Sequence, residues 1–249
     1  MEQYFVNQTI QGQSLRISDK ELYKHLATVL RHKSGDVIYL VDNNNDLYHS
    51  TIDKIDTDNK FIQFDVAKSD KPSTELPVDV TIACSLSKKD KIEWITQKAT
   101  ELGAKRIIFF NSQYSIMHWK SNVVDKKMTR LQEIAKNAAQ QSKRRLIPEI
   151  TYLKNISELD NATEELKLIA YEESAKEGET SILAQSLSKM PKSIICLFGP
   201  EGGFSPEEVT NLQENDFVSI GLGSRIMRAE TAPMYFLSVL SYNYELNSK

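Results

Sequence analysis

The sequence predicts two domains of different class, a small N-terminal β-barrel and a larger α/β domain. Three observations predict this. Residues 1–68 hold several short apolar runs and a single helix-like segment. The stretch Ala67–Pro77 then gathers Ser69, Asp70, Pro72, Ser73, Thr74 and Pro77, the composition of a linker. From Val78 onward strand-like and helix-like segments alternate, which is the signature of an α/β domain. The boundaries expected are 1–70 for the first domain and 75–249 for the second.

In the first domain Tyr4-Phe5-Val6 reads as a short strand. Ser18–Arg31 reads as a helix, with Ser18 as its cap, Glu21 completing a capping box, and Leu22, His25, Leu26, Val29 and Leu30 as its apolar face. Gly35-Asp36 is a turn, Val37–Val41 a strand, Asp42–Asp46 a polar hairpin loop, and Leu47–Ile55 the returning strand. Phe61, Phe64 and Val66 mark one more strand.

In the second domain Val78, Val80, Ile82 and Cys84 alternate as a strand. Asp90–Leu102 is a helix stopped by Gly103. Arg106–Phe110 is a strand and Val123–Ser142 a long helix, with Pro148 closing that region. Leu166–Tyr171 and Ser193–Phe198 are strands, with a short helix at Ser181–Leu187 between them. Ser205 caps the next helix, Pro206 takes its first position and Glu208 completes its capping box. Phe217–Ile220 is a strand. The last helix begins near Thr231 and runs to about Leu246; Met234, Phe236, Leu237, Val239 and Leu240 make it apolar on more than one face, as in a deeply buried helix or one that meets a partner chain.

Composition narrows the function classes. A chain of 249 residues, 40% hydrophobic and 26% charged, is ordinary for a globular protein. No apolar run reaches the ~18 residues of a membrane span, and the first residues lack a signal-peptide pattern. Cys84 and Cys196 lie in apolar runs and are expected as buried free thiols. The four histidines show no ligand spacing, so no metal is expected. Net charge is −3, yet Lys120–Arg145 carries eight Lys/Arg against two acids, and Glu158–Thr180 eight acids against two Lys. A basic segment in an acidic chain suits either a polyanion or a solvated helix face.

Two glycine-bearing turns gather the candidate chemistry. The first, Gly199-Pro200-Glu201-Gly202-Gly203, follows the strand ending at Phe198. It matches no phosphate-cradling pattern. Glu201, Glu207 and Glu208 crowd the helix N-terminus, so a phosphate would be repelled while a neutral or cationic head would be tolerated. Alone it is also a plain tight turn. The second, Gly221–Ala232, holds Arg225, Arg228 and Glu230, which serve either a ligand or an internal Arg–Glu pair. A third cluster, Gln141, Lys143, Arg144 and Arg145, ends the long helix and could grip RNA phosphates or merely complement the helix dipole. Read physically, the chain is an α/β ligand-binding domain with a small β-domain and a basic patch.

At these residues the chain resembles the RsmE family (ribosomal RNA small subunit methyltransferase E) of the SPOUT methyltransferases. The sharpest matches are Gly199–Gly203, Leu222-Gly223-Ser224-Arg225-Ile226-Met227-Arg228-Ala229-Glu230-Thr231-Ala232 and Gln97–Gly103. The resemblance implies a PUA-like N-terminal β-barrel, a trefoil-knotted SPOUT domain, a homodimer and a cytoplasmic enzyme. It implies S-adenosylmethionine held by Tyr171, Glu172, Phe198, Gly199, Pro200, Glu201, Gly202, Gly203, Leu222, Gly223, Ile226, Thr231 and Ala232. The implied reaction is N3-methylation of one uridine in the decoding region of 16S ribosomal RNA in the small subunit. Arg225, Arg228 and Glu230 are the expected catalytic group: an arginine would stabilise the N3 anion, and Glu230 would orient an arginine or accept the proton. Arg31, Gln141, Lys143 and Arg144 are the expected RNA contacts. Three positions depart from the family pattern: Gln3 and Ser112–Ser115 lack an arginine, and Lys143 replaces a small residue. The alternatives are a non-catalytic RNA-binding or assembly factor and a related SPOUT enzyme acting on transfer RNA.

Overall fold

The computed structural model describes residues 2–171 and 182–247. They group into two units: one of Met1–Thr74 with Gln140–Leu146, the other of Glu75–Ala139 with Ile147–Lys249. The short segment after the long helix, expected in the second domain, therefore belongs with the first.

The first unit is built on β1 (Gln3–Phe5), β2 (Ser14–Ile17), β3 (Val37–Val41), β4 (Leu47–Asp56) and β5 (Phe61–Lys68). The sheet order is β1-β3-β4-β5-β2, with β1 parallel to β3 and the other pairs antiparallel. Strand alternation sends Leu15, Ile17, Ile38, Leu40, Ile52, Ile62, Phe64 and Val66 into one core. The single helix departs from its sequence reading. α1 (Lys20–Tyr23) is capped by Asp19, whose carboxylate accepts from Leu22 N–H at 2.8 Å, and Ser18 is not the cap. It widens at once into a π-turn over Lys24–Val29, where Leu30 N–H donates to His25 O. The wider turn breaks the 3.6-residue period. Leu26 stays buried, but Val29 and Leu30 rotate outward and are exposed. His32 closes this corner, its ring nitrogens 3.0 Å from both Glu2 and Asp36.

The second unit holds β6 (Asp79–Ser85), α2 (Lys89–Glu101), β7 (Arg106–Phe110), most of α3 (Ser121–Gln141), β8 (Glu149–Leu153), β9 (Leu166–Ala170), α4 (Ile182–Leu187), β10 (Ser193–Phe198), α5 (Pro206–Glu214), β11 (Val218–Ile220) and α6 (Ala232–Ser241), which runs on as a π-turn to Leu246. The six strands are all parallel in the order β11-β9-β10-β6-β7-β8. Both faces of such a sheet are covered, so its central strands are apolar throughout. Ile194, Cys196 and Phe198 of β10 enter one core, while Ile195 and Leu197 enter another. Cys84 and Cys196 are buried free thiols, and burial pushes both up from the usual thiol range. α6 buries Met234, Phe236, Leu237 and Leu240 but leaves Tyr235 exposed, as are Tyr242 and Leu246 after it.

The order matters for the site. β10 inserts between β6 and β9, so the chain reverses its march across the sheet between β8 and β9. An open parallel sheet binds ligands beside such a reversal, at the carboxyl ends of its strands.

Candidate functional site

Three strand ends meet at one cleft. β9 ends at Ala170-Tyr171, β10 leads into the Gly199–Gly203 turn, and β11 leads into the Gly221–Ala232 segment. Tyr171 N–H donates to Ile220 O at 3.0 Å and fastens the first to the third. The cleft, about 630 Å³, is lined by Tyr171, Phe198–Phe204, Ile226–Ala229, Ala232 and Lys91. A neighbouring hollow of about 440 Å³ shares Tyr171, Ile226, Met227 and Ala232 and adds Leu222, Gly223, Ser224 and Arg225. Both volumes lie in the range of small-molecule sites.

Local chemistry shapes each wall. Phe198 is buried against Phe236, their rings edge to face at 5.8 Å, which fixes where β10 ends. At Gly199 a Cβ would stand 3.2 Å from the backbone of Gly203 and 3.3 Å from the Phe204 ring. Gly203 closes the turn at φ +73°, donating its N–H to Pro200 O at 2.9 Å; glycine alone enters that region without strain. Ser205 then caps α5 by accepting from Glu208 N–H, and Glu208 accepts in return from Ser205 N–H. Its second oxygen accepts from Gln113 N–H at 2.8 Å. Glu208 is therefore occupied as a cap.

The structure brings together most of the expected cofactor residues. Tyr171, Phe198, Gly199, Pro200, Glu201, Gly202, Gly203, Ile226 and Ala232 line the cleft, and Leu222 and Gly223 the adjoining hollow. Thr231 is not among the lining residues of either hollow; it takes the N-cap position of α6 without a side-chain cap bond, its N–H donating to Arg228 O at 2.8 Å. Glu172 lies outside the described residues.

The catalytic candidates divide. Arg225 and Arg228 are exposed, and among the described residues neither stands within 4.0 Å of a carboxylate. The internal Arg–Glu pair is not what forms. Glu230 instead turns to Lys91, whose ammonium lies 3.0 Å from Glu230 Oε2 and 2.7 Å from Glu201 Oε1. Burial works against ionisation of Glu230, but its own backbone N–H, Lys91 and Arg228 outweigh it and hold the carboxyl below the usual range. The Lys91 hydrogen bond does the same for Glu201, and Lys91 is raised by both carboxylates.

Lys91 is the residue the sequence reading missed. In the first turn of an amphipathic helix a lysine looks like ordinary solvated charge, and Glu201 is 110 positions away.

The RNA candidates all fall in the first unit. Arg31, Gln141 and Lys143 are exposed, with Arg31 at φ 58° and Lys143 at φ 64°, each just past a helix end. Arg144 is a correction: it is only 2% exposed, so its guanidinium is packed inside and is not offered to a phosphate. Gln3, one of the departures, explains part of this. It is buried and donates from Nε2 to Arg144 O at 2.6 Å, clamping the segment. Among the described residues no group of three His, Cys, Asp or Glu is placed to hold a metal, and no helix is long and apolar enough to cross a membrane.

Comparison with known proteins agrees with this layout. A family model described as an RNA methyltransferase domain matches residues 74–241, and one described as an RNA methyltransferase PUA domain matches residues 17–65. Ribosomal RNA small subunit methyltransferase E of Bacillus subtilis is 37% identical over 254 aligned residues, covering 99% of this chain and 98% of that protein. Among solved structures, a putative methyltransferase from Legionella pneumophila in complex with bound cofactor SAM superposes with a TM-score of 0.80 at 27% identity, over 96% of both chains. A ribosomal RNA small subunit methyltransferase E from Neisseria gonorrhoeae, bound to S-adenosyl methionine, gives a TM-score of 0.81 at 24% identity over 98% of both and supports the fold.

Proposed function

Since the chain belongs to the ribosomal RNA small subunit methyltransferase E family, we propose that it binds S-adenosylmethionine in the cleft and methylates N3 of one uridine in the decoding region of 16S ribosomal RNA. Its second unit has the α/β methyltransferase fold of SPOUT type, and residues 17–65 form a PUA-like domain. The carrying observation is the convergence of Tyr171 and both glycine turns on one cleft at the carboxyl ends of β9, β10 and β11.

The residues present fit the cofactor. Leu222, Ile226, Met227 and Ala232 supply apolar wall for a purine ring. Gly199 leaves the backbone bare where a side chain would intrude. Glu201, ionised on the cleft lining, favours a cationic head over a phosphate. When bound, the sulfonium supplies a methyl group that is electrophilic without help from the protein. The chain's own work is then alignment and charge. Arg225 and Arg228, both exposed, would stabilise negative charge on the uracil carbonyl oxygens as N3 loses its proton. Glu230, held ionised and tied to Lys91, serves to shape the turn that carries Arg228. An uridine paired in a duplex hides N3, so the target base must be unpaired or extruded. Arg31, Gln141 and Lys143 would hold the RNA backbone.

Three finer features belong to the same proposal. Insertion of β10 between β9 and β6 accords with a trefoil knot in the second unit, and the five-stranded sheet of the first with a barrel. Exposed Tyr235, Tyr242 and Leu246 along the last helix support a homodimer. A substrate in ribosomal RNA implies work in the cytoplasm.

Calorimetric titration with S-adenosylmethionine, followed by methyl transfer to unmodified small subunits and mass mapping of the product, tests the proposal. Saturable heat and N3-methyluridine at a single position are expected. Binding without transfer would leave an RNA-binding factor, and no heat at millimolar ligand would sink the cofactor assignment.

A further inference from the structure

We propose that Lys91 is a positioning residue of the methyl-transfer site: from the first turn of α2 it ties the Gly199–Gly203 turn, through Glu201, to the turn carrying Arg228, through Glu230. The inference rests on reading the cleft as the S-adenosylmethionine site.

The geometry is that of one cation shared by two anions from different loops. Glu201 follows β10 and Glu230 follows β11, and Lys91 Nζ stands 2.7 Å from the first and 3.0 Å from the second. The lysine side chain is 20% exposed and lines the cleft. Lys91 Nζ donates to Glu201 Oε1 at 2.7 Å, and its contact with the buried Glu230 Oε2 at 3.0 Å is the less well aligned of the two. The other charges acting on the pair are Arg228 on Glu230 and Lys88 on Glu201.

Removing the ammonium would leave two carboxylates close together with no cation between them. Either the turns part, displacing Arg228, or one carboxylate takes up a proton at higher pH than before, because a like charge disfavours ionisation. In the native protein both carboxyls are held low. The paired arrangement is therefore present above the ordinary carboxylate value and is lost as pH falls through the depressed native one. Without Lys91 that loss should begin at higher pH.

The test compares full-length wild type, Lys91→Met and Lys91→Arg in S-adenosylmethionine binding and in methyl transfer between about pH 3.5 and 8, a range that reaches below the ordinary carboxylate value. Lys91→Met should lose about tenfold or more in kcat/KM, with its acid limb moved to higher pH. Lys91→Arg, which keeps the charge, should restore most of the activity and the wild-type limb. Retention within about twofold at every pH overturns the proposal. So does a loss uniform in pH that arginine does not rescue, since that marks a structural role only. If thermal melting shows Lys91→Met unfolded, Lys91→Gln carries the same comparison. Wild type that binds no S-adenosylmethionine removes the reading of the cleft and this inference with it, whereas binding by wild type with an indifferent Lys91→Met removes this inference alone.

Discussion

Arg228 sits exposed beside the cleft, without a carboxylate partner among the described residues, while its own carbonyl accepts from Thr231 N–H and Ala232 N–H. Its backbone thus serves the turn and its side chain remains available to a substrate. Arg228→Ala should lower the rate of methyl transfer by about 10²–10³, the usual cost of removing one group that stabilises developing charge, while cofactor affinity changes by less than about threefold. Single-turnover transfer and calorimetry measure the two separately, and equal loss of both would place Arg228 in the cofactor site instead. The contrast with Arg144 shows what residue-level reading can see. Both are arginines in basic, loop-proximal sequence, but one is exposed and the other only 2% exposed. Burial of a charge is decided by what folds over it, here a segment clamped by Gln3 from 141 positions away. Lys91 was hidden for the same reason: its two partners lie on other strands' loops.

Elements are fixed by nearer neighbours, and Gly103 illustrates how. It ends α2 at φ +94°, where Gly103 N–H donates to Thr100 O and Ala104 N–H to Ala99 O. A Cβ there would stand 2.6 Å from Leu76 Cγ. Gly103→Ala should therefore destabilise the protein by about 2 kcal/mol or more, from the left-handed backbone and the overlap together. A denaturant midpoint unchanged from wild type would show that Leu76 yields freely. This stop was legible in the sequence, as were β3, β7 and β10, whose limits coincide with their apolar runs. The Ser205-Pro206-Glu208 start of α5 was equally legible, because a capping box is a local arrangement. β2 and β8 were not. Ser14–Ile17 has only two apolar residues, and Glu149–Leu153 is an edge strand with a single buried position. Their strand character comes from pairing with β5 and β7, which no short window contains. The π-turn in the first helix escaped because its wider hydrogen bonding breaks the period used to recognise it.

For the whole molecule the electrostatic problem is that a chain of net charge −3 must approach a polyanion. Its average field opposes association, so local cations must overcome it at short range. The exposed candidates are Arg31 and Lys143, both past helix ends in left-handed backbone, with Gln141 as a neutral neighbour. Each phosphate neutralised on single-stranded RNA contributes about 0.7 to the slope of log affinity against log salt. Arg31→Ala combined with Lys143→Gly should thus flatten that slope by about 1.4 if each contacts one phosphate. Glycine is the choice at 143 because φ 64° suits it, so the variant keeps its fold while losing the charge. Affinity for unmodified small subunits measured over a salt series gives both slopes. A slope unchanged by the double substitution would remove these two residues from the RNA interface and direct attention to Lys126, Lys127, Arg130 and Lys136 of α3.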